Sequence, residues 1–408
     1  MTDATPPAPR DLEWYATDIM ERGVRRVHVL AWRDLDDPDA GGSEVHADEF
    51  MRRWAEHGLE VLHRTSAAVG LPASSVRHGY EVIRRGSRYS VFPRTIAAEL
   101  ARRMGPCDAL VEIWNGVPWF SPVWCRRPHV TMIHHVHGPM WGQILPAPLA
   151  VFGRTLEARI APPFYRRTLT VTPSDATRDE LLELGFHADR VTAVPNGVDP
   201  VFRPGAAKSP TPSIVAVGRL APVKRFELVI DAALHAKAEV PDLTLTIVGE
   251  GPLRPELLAR VARAGASDWI TLPGHIELDE LIRHYQRAWL VVSGSLAEGW
   301  GLSLTEAAAC GTPAVATDIR GHRSSVVAGV TGELVPADRL GDEIAALLQD
   351  DVRRDALAVA ALERARSLSW DASALGLLRV LHTAVLTRQH GRGRASRRTK
   401  PPFGWGGG

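Results

Sequence analysis

Short apolar runs, each suited to one buried strand, alternate with longer stretches of helical periodicity, and the alternation occurs twice, on either side of a proline-rich segment. In the first half the runs fall at 26–32, 59–63, 109–113, 130–133, 169–171 and 191–194; in the second, at 213–217, 243–248, 269–272, 289–293, 314–316 and 332–335. Such alternation predicts an α/β fold built on mainly parallel sheets. A chain of 408 residues is too long for one ordinary core, so two doubly wound domains in tandem are expected.

The expected boundaries follow. Residues 1–203 form an N-terminal domain and 204–212 a linker, inside the stretch Phe202-Arg-Pro-Gly-Ala-Ala-Lys-Ser-Pro-Thr-Pro212. Residues 213–370 form the second domain, 371–387 a helix returning to the first, and 388–408 a basic disordered tail ending in Pro401-Pro-Phe-Gly-Trp-Gly-Gly-Gly408. The first helix is predicted to start at Ser43 as N-cap, with Ala47, Phe50, Met51 and Trp54 on its apolar face and Gly58 beyond its end.

A formal net charge of +1 argues against a nucleic-acid binder. Locally the balance differs: residues 51–170 hold 16 Arg and no Lys against 7 acidic residues, near +9. That bias fits a solvated surface, an anionic or lipid-linked acceptor, or peripheral contact with a membrane. Three cysteines, Cys107, Cys125 and Cys310, without CxxC spacing, point to reduced thiols and a cytoplasmic protein. No run of about 18 apolar residues could span a bilayer, so membrane association would be peripheral, at the inner face. Trp114, Trp119, Trp124 and Trp141 suit core packing or sugar stacking.

Open α/β sheets bind ligands beyond the carboxyl ends of their strands. Four strand-end loops look chemical. The richest is Glu298-Gly-Trp-Gly-Leu-Ser-Leu-Thr-Glu306, two carboxylates around a helix start, where unpaired N–H groups favour a phosphate. Its local rival is a capping box, Ser303 with Glu306. A second loop holds Gly218, Arg219 and Lys224, the last being one of only four lysines in the chain; the two cations suit a diphosphate. Gly41-Gly42-Ser43-Glu44 allows close backbone approach before a helix. The fourth, His134-His135-Val-His137 after a strand, suits polar positioning of a ligand better than a metal, because no Cys, Asp or Glu lies nearby to complete a tetrahedral set. Gly249-Glu-Gly251-Pro-Leu-Arg254 departs from a dinucleotide fingerprint at its third glycine.

Taken in order over residues 26–385, these motifs, with Pro195-Asn-Gly-Val-Asp199 and Gly311-Thr-Pro313, resemble the retaining glycosyltransferases of family 4. The resemblance implies the GT-B fold, two Rossmann-like domains facing a cleft. It implies a UDP- or GDP-sugar donor on the C-terminal domain, with Arg219 and Lys224 on the diphosphate, Glu306 on the ribose and Glu298 on the transferred sugar. Backbone at Gly301, Leu302 and Ser303 would complete the phosphate site, Gly41 and Gly42 would approach from the other domain, and His134 matches by position the histidine that contacts the donor sugar. No metal and no cofactor beyond the sugar nucleotide are implied, and the acceptor is left open. A non-catalytic partner subunit that binds the nucleotide sugar is the alternative.

Overall fold

The computed structural model describes residues 10–398. The first sheet has eight strands: β1 (Arg26–Leu30), β2 (Glu60–Thr65), β3 (Ser74–Arg77), β4 (Tyr80–Arg84), β5 (Ala109–Trp114), β6 (His129–Ile133), β7 (Thr170–Thr172) and β8 (Val191–Ala193), in the order β3-β4-β2-β1-β5-β6-β7-β8. All pairs are parallel except the β3–β4 hairpin. The second sheet is wholly parallel, with β9 (Ser213–Val217), β10 (Thr244–Val248), β11 (Ile270–Gly274), β12 (Leu290–Ser293), β13 (Ala314–Thr317) and β14 (Gly332–Val335) in the order β11-β10-β9-β12-β13-β14. Strands β1, β5, β9 and β12 lie inside their sheets with both faces largely buried, which is why they read as nearly continuous apolar runs.

The predicted linker is not a free tether. Gln286 accepts the Ala206 N–H (3.0 Å) and donates to the Arg203 carbonyl (2.7 Å), while Lys208 Nζ donates to the Ala288 carbonyl (2.7 Å). Burial pushes the Lys208 ammonium down to about 8. The segment therefore packs on the C-terminal domain, and the first interdomain crossing lies before it. There, Val198 N–H bonds the Leu368 carbonyl (3.2 Å), joining the two interdomain crossings of the chain. Gly197 is required at that crossing: a Cβ on it would lie 2.2 Å from the Trp370 nitrogen.

After the second crossing the helix Trp370–Arg398 returns to the N-terminal domain. Its Leu377, Leu378, Leu381 and Val385 are buried in the N-terminal core with Ile19, Phe50 and Trp54. Trp54 Nε1 donates to the Ala374 carbonyl (3.2 Å), and His382 Nε2 meets Asp18 Oδ2 (2.7 Å). The disorder expected from residue 388 is corrected as far as Arg398, which the helix reaches; 399–408 lie outside the described residues. Basic side chains near a helix C-terminus complement its dipole, so the charge run does not oppose the helix. No helix among the described residues is long and apolar enough to cross a membrane. Trp114, Trp119 and Trp141 are buried, with Trp119 fully enclosed.

Candidate active site

Strands β9, β12 and β13 lie side by side, and the residues after them form one wall of the cleft. After β9 a 3₁₀ turn, Pro222–Lys224, projects Lys224, whose Nζ lies 2.5 Å from Glu298 Oε1. Ser295, after β12, donates to the same oxygen (2.8 Å). Burial opposes ionisation of Glu298, but the charge of Lys224, then that of His322, more than offsets it and holds the carboxyl below its ordinary range. His322, which opens the short helix His322–Ser325 after β13, is fully buried. Its Nδ1 faces the Thr317 carbonyl (2.7 Å), which can only accept, so Nδ1 carries the hydrogen and Nε2 faces Ser293 Oγ (3.1 Å). Glu298 thus rests on a lysine, a serine and a histidine-backed strand end.

Glu306 is in a different setting. The helix Leu302–Ala309 starts after Gly301, an N-cap at φ +96° without a side-chain cap bond. Ser303 and Glu306 consequently sit too far into the helix to form the capping box that the sequence allowed. Glu306 instead accepts from the hydroxyl of the buried Tyr285 (2.9 Å). Burial raises its carboxyl to about 7, and Tyr285 offsets this only in part. Two carboxylates with seven residues between them therefore differ in charge: one is paired with a cation, the other is about half-protonated near pH 7.

The opposite wall belongs to the N-terminal domain. The helix Gly42–Glu56 is capped at Gly41, not at the predicted Ser43, because Glu44 reaches back to accept the Gly41 N–H (2.8 Å). Gly42 opens this helix, and a Cβ there would lie 3.0 Å from Leu302 Cδ1, the residue that opens the Leu302–Ala309 helix. Two helix N-termini therefore meet across the cleft, both with positive partial charge. Arg219, 44% exposed at its side chain, lies beside them with Nη1 at 3.9 Å from Asp39 Oδ1 of the N-terminal domain.

The histidines divide in a way that their spacing does not reveal. His134 is buried, its ring edge-on to His46 at 5.3 Å, and neither ring nitrogen has a protein partner. His46 in turn meets Ser373 Oγ (3.0 Å) on the returning helix. His135 faces the other way: a Cβ on Gly299 would lie 3.6 Å from its Cβ, and the charges of Glu298 and Lys224 reach its ring. Burial pushes His135 down to about 3, so the ring is neutral, and its Nε2 lacks a partner. His135 stacks on His137 (4.4 Å) and His137 on Trp141 (5.0 Å). Glu157 fixes this turn by accepting the N–H groups of His137 (2.8 Å) and Gly138 (2.9 Å) and the Trp141 indole (3.0 Å).

Of the residues singled out from sequence, Lys224, Glu298, Gly301 and Leu302 converge, with Arg219, Gly42, Ser303 and Glu306 around them. The ring of His134 packs on His46, whereas that of His135 lies within reach of the charges of Glu298 and Lys224. Tyr285, Ser295 and His322 were missed, and His322 had a signal, since it follows a strand end like the other four loops. Among the described residues His28, Glu99 and Cys107 come within 4.8 Å of one another, but they lie in the N-terminal core, His28 bonded to Glu99 and the Cys107 thiol to the Ala109 carbonyl (3.3 Å).

Two Rossmann-like domains facing a cleft define the GT-B architecture. Residues 40–202 match Glycosyltransferase Family 4, and residues 199–364 match Glycosyl transferases group 1. The chain belongs to glycosyltransferase family 4, and it is a glycosyltransferase. It is 32% identical to the D-inositol 3-phosphate glycosyltransferase of Thermobispora bispora, over 90% of this chain and 97% of that protein. Its fold is similar to sucrose-phosphate synthase from Thermosynechococcus elongatus (TM-score 0.72, 20% identity, 90% of this chain and 100% of that one). It is also similar to Anabaena HepE in complex with UDP and glucose (TM-score 0.66, 18% identity, 92% and 100%).

Proposed function

We propose that this glycosyltransferase takes its sugar from a UDP- or GDP-sugar held on the C-terminal wall and transfers it, with retained configuration, to an acceptor hydroxyl approaching along the N-terminal wall. The observation that carries the reading is the convergence of Arg219, Lys224 and two helix N-termini beside a half-buried Glu298. The leaving diphosphate develops negative charge as the glycosidic bond breaks, and preorganised cations and dipoles are suited to stabilise it. These groups can do without a divalent metal what a metal otherwise does. Lys224 would exchange part of its contact with Glu298 for phosphate oxygens, freeing the carboxylate to accept a sugar hydroxyl. Neutral His135, with Nε2 unpartnered, is the N-terminal group best suited to a second sugar hydroxyl, and Glu306 suits the ribose.

A sugar-nucleotide donor is supported by the likeness in fold to HepE, whose structure holds UDP and glucose. An anionic acceptor is supported by the relatives named D-inositol 3-phosphate glycosyltransferase and by the arginine bias of residues 51–170. A cytoplasmic setting, with peripheral contact at the inner face of the membrane, belongs to the same proposal.

The test is release of nucleoside diphosphate by the purified chain from a panel of UDP- and GDP-sugars, with and without D-inositol 3-phosphate. Turnover with one donor, unaffected by a chelator and giving a product of unchanged anomeric configuration by NMR, is the expected result. An inverted product overturns retention, and loss of turnover with the chelator overturns metal independence.

A further inference from the structure

Four aspartates lie in the loop between β1 and the Gly42–Glu56 helix, and their partners differ. Asp34 and Asp36 pair with Arg84 (2.6 and 2.8 Å) inside the N-terminal domain, and Arg77 pairs with Asp36 as well. Asp37 Oδ1 accepts the Asp39 N–H (2.9 Å), which fixes the direction of the next carboxylate. Asp39 alone of the four reaches across the cleft. It pairs with Arg88 of its own domain and stands 3.9 Å from Arg219 of the other.

The surroundings of that carboxylate are cationic. Arg33 and Arg88 both lie over the Trp32 ring, at 4.5 and 5.5 Å, so one indole orders two guanidinium groups beside Asp39. Arg33 is only loosely engaged by Glu44, at 3.4 Å. Arg88 first, then Arg219 and Arg33, hold the Asp39 carboxyl below its ordinary range despite partial burial. Asp39 thus stands among three arginines, one of them shared with Glu44, at the mouth of the cleft between the two helix N-termini.

We propose that Asp39 is an internal stand-in for a substrate phosphate: in the unliganded protein it engages Arg219, and it must yield that arginine before a donor diphosphate can be gripped. The inference rests on the reading of Arg219 as a diphosphate ligand. The geometry makes the exchange cheap. At 3.9 Å the Arg219 contact is Coulombic without a hydrogen bond, whereas a phosphate oxygen can accept directly from the guanidinium. Asp39 is not stranded when it yields, because Arg88 remains its partner. The consequence is a donor site weaker than its cations alone would make it, and a product diphosphate that leaves against an incoming carboxylate.

Titration with UDP and with GDP alone tests this on the full chain, comparing wild type, Asp39→Asn and Arg219→Ala. Asparagine keeps the shape and removes the charge, and Asp39 is exposed enough that folding should be unaffected. Asp39→Asn is expected to bind the accepted nucleotide about two- to fivefold more tightly, the range of an exposed ion pair, with a larger gain at about 20 mM than at about 500 mM salt. Unchanged or weaker binding by Asp39→Asn at low salt overturns the stand-in. If Arg219→Ala weakens binding in that same experiment, the diphosphate reading survives its failure. If Arg219→Ala has no effect, or neither nucleotide binds, both fall together.

Discussion

The two walls of the cleft differ in how far their polar groups are already satisfied. On the C-terminal wall Glu298 is held by Lys224 and Ser295, and His322 is bonded through both ring nitrogens. On the N-terminal wall His135 Nε2 has no partner, and Asp39 is shared among arginines from both domains. A preformed, hydrogen-bonded wall suits a donor whose leaving group is always a diphosphate, since the donors of charge-assisted bonds need not reorganise. A wall with open polar atoms suits recognition that a substrate completes. On the proposed reading, charge on the C-terminal wall governs rate, whereas on the N-terminal wall it governs positioning.

Lys224 offers the largest expected break of this comparison. Lys224→Ala removes a phosphate cation and leaves Glu298 half-buried without its partner, so kcat/KM should fall about 10²–10³-fold. Glu298→Gln should cost a similar factor. Because the two groups act as a unit, the double variant should lose far less than the product of the two. Initial rates of nucleoside diphosphate release for the four proteins measure this, and strictly multiplicative losses would separate the roles. Arg219→Ala, lacking such a half-buried partner, should cost about 10- to 150-fold, through a charge-assisted hydrogen bond of about 1.5–3 kcal/mol.

The paired histidines sharpen the contrast on the other wall. His135→Ala should lower kcat by about 10- to 100-fold, as expected of a group that assists through its ring, with thermal stability near that of wild type. His134→Ala should do the reverse, keeping kcat within a few-fold while losing about 1–3 kcal/mol of stability, because its ring packs on His46 and not on the cleft. The assignment of the two faces fails if His134→Ala is the inactive one. Thermal melts beside steady-state kinetics separate the outcomes.

That pair also marks the limit of the sequence. The parallel strands were legible because a buried strand is an apolar run whichever way its side chains point, and the cations after β9 were legible because a strand end in this fold faces ligand. Which of two adjacent histidines faces the cleft depends on what covers each side of β6, and His134 is covered by His46, which is itself backed by Ser373 and Trp370 of the returning helix. The β3–β4 hairpin was missed because β3 is a polar strand at the sheet edge, with no buried position to leave a pattern. Tyr285, the partner of Glu306, lies on a helix with no motif to announce it.

Glu306 gives the smallest effect and the finest test, because it belongs to the preformed wall yet forms no ion pair among the described residues. Its carboxyl is raised from an ordinary 4.5 to about 7 in the folded protein. Below pH 4.5 both folded and unfolded chains carry the proton, and the group does not affect stability. As pH rises from 4.5 through 7 the unfolded chain ionises freely while the folded one resists, so the folded protein binds more protons and stability declines. Above 7 the penalty is complete. Glu306→Gln, which cannot ionise, should therefore match wild type near pH 4 and exceed it at pH 8, by about 1–2 kcal/mol once partial exposure is allowed for. The same variant should bind donor up to about tenfold more weakly, the range of one hydrogen bond. Denaturant melts at both pH values, set beside nucleotide titrations, read the two effects separately. A Glu306→Gln protein less stable than wild type at pH 8 would mean that the carboxylate has a cationic partner after all, and the contrast with Glu298 would vanish.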